Sequence, residues 1–237
     1  GLVPPGERGP ASAWTASTRG TGELILAAAR TGAPVVLVAA GGSATTDGGA
    51  GAIAAIEEGG GLGGTQLVVL CDVRTPFEDA PRVFAPQKGA DAATVDRLRE
   101  RLDEQADGFG ARDPRGVPMT GAAGGLAGGL WAAFGAHLEA GAPFVLDAVG
   151  FAGRLAAAGA VVLGEGRLDA QTLQGKILAE AAARAATAGV PCHAIVGQDA
   201  QDEPLVRARL GLAEVREAGT LAAIEAAAAA LAQGSRT

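Results

Sequence analysis

The chain has 237 residues, a formal charge of −7 at pH 7 and 48% hydrophobic residues, enough for one or two domains with a sizeable core. That balance excludes a disordered chain, a basic nucleic-acid-coating protein and a basic membrane-surface binder. Glycine is the anomaly, at 38 residues against an ordinary share of about 7%, and no three-residue period makes it collagen-like.

In chain order, Thr21-Gly22-Glu23 opens a helical run that stops at Gly32. Pro34 to Ala40 is short and continuously apolar, which predicts a strand buried on both faces. A Gly-rich stretch leads into a helix ending near Glu58, and Leu67 to Cys71 reads as a second buried strand. Asp91 to Ala106 alternates charges and predicts a solvated amphipathic helix. Residues 108–118 are loop-like. Residues 121–139 read as a helix containing Gly124, Gly125, Gly128, Gly129 and His137. Each interior glycine costs about 1 kcal/mol relative to Ala, so four of them require close backbone packing or a ligand.

A helix after Asp147 is followed by a strand at Ala160 to Leu163, a polar loop, a helix from about Lys176 to Ala188 and a strand at Cys192 to Val196 that holds His193. A weak strand near Ala213 to Arg216 and an Ala-rich helix from Leu221 close the sequence. The alternation predicts an α/β fold with a mainly parallel sheet flanked by helices. Two lobes are expected, 1–150 and 151–237.

Six Phe, two Trp and no Tyr leave too few aromatics for a base-stacking platform. No apolar run approaches the roughly 20 residues of a membrane span. The N-terminal Gly1-Leu-Val-Pro-Pro-Gly-Glu-Arg has no secretory pattern, so a cytoplasmic protein is expected; the missing Met points to a trimmed or partial chain. Cys71 and Cys192 sit in or beside apolar runs and read as buried thiols of a reducing compartment. Two Cys and two His at these spacings cannot build a zinc site.

Ligands of parallel sheets bind beyond the carboxyl ends of the strands. There the sequence places Gly41-Gly-Ser-Ala-Thr-Thr-Asp-Gly-Gly49, Asp72-Val-Arg-Thr-Pro76, Gly164-Glu-Gly-Arg-Leu-Asp-Ala-Gln-Thr172 and Gly197-Gln-Asp199. Several carboxylates with hydroxyls and glycines at one edge suit a metal-bound phosphate. In the first loop, glycines let N–H groups converge on an anion, Ser43, Thr45 and Thr46 can donate, and Asp47 can face Mg²⁺ or cap the following helix. Of 19 basic residues only Lys88 and Lys176 are lysine, and both lie beside glycine. A compact ammonium on a flexible stem suits a phosphate whose charge moves during transfer.

Other patterns fail. Gly175-Lys176-Ile177 lacks the remaining Walker residues. Gly59-Gly-Gly-Leu-Gly-Gly64 fits G-x-G-x-x-G but follows a helix instead of a strand. In Asp72-Val-Arg74-Thr75, Arg74 occupies the second acid's place in the D-x-D-x-T of aspartate-nucleophile phosphotransferases. His137 and His193 read as structural.

The blocks Gly20-Thr-Gly-Glu-Leu-Ile25, Gly41 to Gly51, Cys71-Asp-Val73 with Pro76, Val83-Phe-Ala-Pro-Gln-Lys-Gly-Ala90, Gly121-Ala-Ala-Gly-Gly-Leu126 and Gly164-Glu-Gly-Arg167 with Asp169, Gln171-Thr172 and Gly175-Lys176 occur in one order. Together they resemble the bacterial type 1 glycerate kinases. The resemblance implies ATP-dependent phosphorylation of D-glycerate with Mg²⁺, in a cleft between two α/β lobes. On that resemblance the 41–49 loop (Gly41, Gly42, Ser43, Thr45, Thr46, Gly48, Gly49) and Lys88 hold anionic groups. Asp47 and Asp72 handle the metal or the substrate hydroxyl, and Glu165, Arg167, Asp169 and Lys176 complete the site.

The chain departs from the pattern by lacking the family's opening D-S-F-K-G-S-L and A-D-G-G-E-G segments. It is also short between Glu58 and Leu67, and carries Thr46, Thr75 and Leu178 for Asn, Asn and Pro. A sheet without its first strand would expose an edge and an apolar face. Two alternatives therefore stand beside a kinase: a non-catalytic remnant that binds nucleotide or a partner, and a phosphotransferase with Asp72 as nucleophile.

Overall fold

The computed structural model describes residues 5–168, 172, 177–199 and 204–234. Two compact units divide the chain, Gly1–Gly141 and Ala142–Thr237. The first contains α1 (Pro10–Thr15), α2 (Arg19–Ala29), β1 (Val35–Ala39), α3 (Ala50–Glu58), β2 (Gln66–Cys71), α4 (Ala80–Phe84), α5 (Ala92–Gly108), α6 (Leu126–Phe134) and β3 (His137–Ala140). The second begins with α7 (Gly141–Ala148) and continues with α8 (Phe151–Leu155), β4 (Val161–Leu168), α9 (Ile177–Thr187), β5 (Cys192–Asp199), α10 (Pro204–Leu210), β6 (Leu212–Glu217) and α11 (Leu221–Gly234).

The described strands form two parallel sheets of three, in the orders β1-β2-β3 and β4-β5-β6. The class is therefore α/β with parallel sheets flanked by helices. In the first unit Ile25, Ala52, Ile56, Leu126 and Leu130 pack on Val36, Val38, Leu67 and Val69. That places α2, α3 and α6 over a single face of the sheet. Among the described residues the other face stays open, with Val35 41% and Leu37 52% exposed. The prediction that residues 34–40 are buried on both faces is thus corrected: the strand alternates, because helices cover only one side. In the second unit Leu178, Ala182, Val206 and Leu210 cover one face of β4–β5. Ala227 and Leu231 of α11 pack against Ile195.

Two further expectations change. The helix predicted over 121–139 is only Leu126–Phe134, because Ala123, Gly124 and Gly125 have φ of 53°, 68° and 90°, outside the helical region. Gly135 then ends the helix. His137 lies on the exposed edge strand β3, paired with Val68 of β2, and its Nε2 is 2.7 Å from Glu139 Oε1. Likewise, Gly164 to Leu168 continue β4 and are not a loop. β5 runs on in parallel to Asp199, so the ladder extends to Arg167↔Gln198 and Leu168↔Asp199 and pairs backbone groups that would otherwise be left open.

The glycines in and just before α6 have a steric reason. A Cβ on Gly124 would lie 2.0 Å from the Thr45 carbonyl oxygen, and one on Gly129 would lie 2.2 Å from that of Gly48. Gly48 N–H donates to Gly124 O at 3.1 Å, so helix start and loop touch backbone to backbone. Helix propensity alone would favour Gly129→Ala by about 1 kcal/mol. The clash outweighs it, and urea unfolding is expected to show a net loss of about 2–3 kcal/mol.

Cys71 and Cys192 are free and buried, as the sequence implied. Burial pushes the Cys71 thiol up to about 12, the nearby Asp72 charge adding to the effect, so it stays protonated and unreactive. Among the described residues no helix is long and apolar enough to cross a membrane.

Candidate active site

At the carboxyl ends of β1 and β2 the chain brings together three sequence-distant segments. These are the 41–49 loop, Asp72 to Pro76, and Lys88 with Gly89 at the end of a 3₁₀ turn (Pro86–Lys88). Gly121 N–H donates to Thr75 O at 2.9 Å and Met119 N–H to Arg74 O at 3.2 Å, so the segment before α6 straps the 74–76 turn in place.

Lys88 is the centre of this arrangement. It is 7% exposed, and its ammonium donates to Thr45 O at 2.6 Å and Ser43 Oγ at 3.0 Å. Burial lowers its pKa to about 8, while the neighbouring Asp47 charge pulls the other way.

Asp47 is equally buried and receives four protein donors. Thr18 N–H and Thr18 Oγ1 donate to Oδ2 at 2.8 and 2.9 Å, Gly51 N–H to the same oxygen at 3.3 Å, and Gly49 N–H to Oδ1 at 3.3 Å. Thr18 Oγ1 in turn accepts from Ala52 N at 3.0 Å. One carboxylate thus ties the starts of α2 and α3 together, where the positive helix ends favour it.

The carbonyls of the second half of this loop are held by the protein. Thr45 O meets Lys88, Thr46 O accepts from Arg101 Nη2 at 2.5 Å, and Gly48 O accepts from Gln105 Nε2 at 2.9 Å. The backbone N–H groups of residues 41–47, by contrast, have no acceptor among the described residues. Gly41 to Thr45 are exposed or partly so and Thr46 and Asp47 are buried, and unpaired amides beside a buried cation can receive phosphate or carboxylate oxygens. Asp72 is exposed at the end of β2, with its Oδ2 3.3 Å from where a Cβ on Gly41 would lie.

In the second unit Glu165 and Arg167 lie on β4, and Glu165 Oε2 accepts from the buried Thr172 hydroxyl at 2.9 Å. The β5 end carries the buried Asp199, against which Arg207 lies, and its N–H donates to Glu217 Oε1 at 2.5 Å. Asp169 and Lys176 fall outside the described residues. Among the described residues no three His, Cys, Asp or Glu side chains cluster as a metal cage. Mg²⁺ needs only one or two carboxylates when phosphate supplies the remaining oxygens, and the exposed Asp72 fits that requirement.

Three residues of the first unit escaped the sequence reading. Arg101 and Gln105 are partly buried on a helix whose charges suggested solvent, and they flank its apolar stripe of Leu98, Leu102 and Ala106. That i+3/i+4 relation to buried leucines was the available signal. Thr18 sits where a helix N-cap is expected.

The glycerate kinase family profile matches residues 1–59 and 60–235. An uncharacterized protein of Mycobacterium bovis is 39% identical over 233 residues, covering 92% of this chain and 61% of its own. A Bacillus subtilis glycerate kinase is 38% identical over 154 residues, 61% of this chain and 40% of its own. A solved structure from Salmonella typhimurium LT2, assigned as a glycerate kinase 2, superposes with a TM-score of 0.65 at 33% identity, over 91% of this chain and 64% of that one. The chain spans about three fifths of the length of the relatives it matches along most of its own. With two parallel α/β sheets, a glycine-packed loop over a buried lysine and a profile match running through both units, the chain belongs to the glycerate kinase family.

Proposed function

We propose that this chain carries the anion-binding and phosphoryl-transfer machinery of an ATP-dependent kinase that phosphorylates D-glycerate. The observation that carries the reading is the 41–49 loop, where the carbonyls of Thr45, Thr46 and Gly48 are tied to side chains while the amides of 41–47 have no acceptor among the described residues, beside buried Lys88. Phosphoryl transfer asks a protein mainly to position its reactants and neutralise developing charge. The loop amides, with Ser43, Thr45 and Thr46, bind and orient an anionic group, and Lys88 supplies fixed positive charge beneath it. Mg²⁺, when bound, neutralises charge on the phosphoryl oxygens.

The exposed Asp72 carboxylate is the group free to meet that metal or the acceptor hydroxyl. Asp47, already receiving four donors, serves as the anchor that gives the loop its shape. Glu165, Arg167, Asp169 and Lys176 are the second unit's proposed contributions to the same reaction. A small-molecule acid and a nucleotide are the ligands, and a cytoplasmic setting is consistent with both.

The test is ADP release by the purified chain with D-glycerate and MgATP, repeated with Lys176→Met and Asp72→Asn. Glycerate-dependent release that falls at least about tenfold in each variant supports the reading. Tight nucleotide binding without release would favour a non-catalytic binder, and unchanged turnover in both variants would remove these assignments.

A further inference from the structure

We propose that Arg101, with Gln105, is a positioning residue that aims the Thr46 and Asp47 amides at the anionic ligand. This rests on the anion-holding reading of the 41–49 loop and extends it to a helix that the sequence motifs do not include. A trans peptide is planar, and its C=O and N–H point in opposite directions. Lys88 holds the Thr45 carbonyl and Arg101 the Thr46 carbonyl, so the N–H groups of Thr46 and Asp47 face the other way. Gln105 holds the next free carbonyl, that of Gly48, while the N–H sharing that peptide, Gly49, goes to Asp47.

Arg101 is itself fixed. Its Nη1 donates to Trp14 O at 3.0 Å, and its guanidinium lies 4.5 Å from the centre of the Trp14 ring. Arg97 stacks on the same ring at 4.0 Å. The neighbouring Leu98 and Leu102 are completely buried, so the helix cannot shift to loosen the contact. Arg101 Nε is buried with no acceptor among the described residues. Such an unsatisfied donor is destabilising, and the planar fork that spans Trp14 O and Thr46 O offsets it. A lysine at 101 keeps the charge but cannot span both carbonyls.

The test uses the full chain with Arg101→Lys, Arg101→Met and Gln105→Leu. Amide ¹H–¹⁵N shifts are followed during separate titrations with inorganic pyrophosphate and D-glycerate, with melting temperature recorded for each variant. In the native chain one of the two probes is expected to move the Thr46 and Asp47 amides saturably, and which one does so says whether phosphate or carboxylate sits there. Arg101→Lys is expected to weaken that probe roughly tenfold, about one hydrogen bond's worth, and Gln105→Leu a few-fold. A purely electrostatic role would leave Arg101→Lys at native affinity, and a purely structural role would lower melting without changing affinity; either result overturns the proposal. So does a titration in which both amides stay still. Should Arg101→Met fail to fold, Arg101→Lys and Gln105→Leu still decide the matter. Amides that respond in a chain without glycerate-dependent turnover would sink the kinase reading and leave this inference standing.

Discussion

Lys88→Met is expected to lower glycerate-dependent ATP turnover by about two orders of magnitude or more while leaving the chain folded. The ammonium is the only lysine charge in the described part of the chain, is 7% exposed and touches the loop at two points. Methionine fills similar volume, so the loss is chiefly of charge and of the bonds to Thr45 O and Ser43 Oγ. Stability should respond to pH in a way this residue dictates. The Lys88 pKa falls from 10.5 to about 8 on burial, so below about pH 8 native and unfolded chains both carry the proton, and the native chain bears the full cost of a buried charge. Between about 8 and 10.5 the unfolded chain holds more protons, and stability rises with pH by up to about 3 kcal/mol. Above that window the cost is gone. Anion affinity should run the opposite way, falling as pH rises through about 8. In Lys88→Met both trends should vanish, as read from urea midpoints and pyrophosphate titrations between pH 6.5 and 10.

Asp47→Ala is expected to destabilise the first unit by about 3–4 kcal/mol. It strands the Thr18 N–H and hydroxyl together with two helix-start amides, and each buried unmet donor costs about 1–3 kcal/mol before relaxation. Asp47→Asn should cost less, about 1–2 kcal/mol, because its amide oxygen can still accept from Thr18 while its NH₂ meets other donors. Since Asp47 shapes the loop, turnover and unfolding free energy should decline together across the two variants. Full stability in Asp47→Asn with turnover lost would instead assign the carboxylate a direct part in the chemistry.

Much of the site was legible because it is written locally. The glycines of 41–49, the hydroxyls between them and the rarity of lysine point to an anion receptor, and Lys88 does reach that loop across 43 residues of sequence. The four glycines near 124–129 also announced close packing: Gly124, Gly125 and Gly129 approach the backbone of that same loop, and Gly128 packs against Phe77 and Thr120. What stayed hidden depends on the third dimension. A continuous apolar run gives no sign of whether one face or two will be covered, so the open side of β1 with Leu37 could not be read from residues 34–40. Arg101 resembles its neighbours on a charge-rich helix until Trp14 and the Thr46 carbonyl arrive from elsewhere in the chain. Composition likewise does not register the left-handed turn at 123–125, whose geometry shortens α6 and frees residues 137–140, His137 among them, to pair with β2.

The most direct measurement is a crystal structure of the chain with D-glycerate and a non-hydrolysable MgATP analogue. A carboxylate or phosphate oxygen within hydrogen-bonding distance of the Thr46 and Asp47 amides, with Lys88 still bonded to Thr45 O behind them, is the predicted result. Both ligands bound with those amides facing only water would contradict the account.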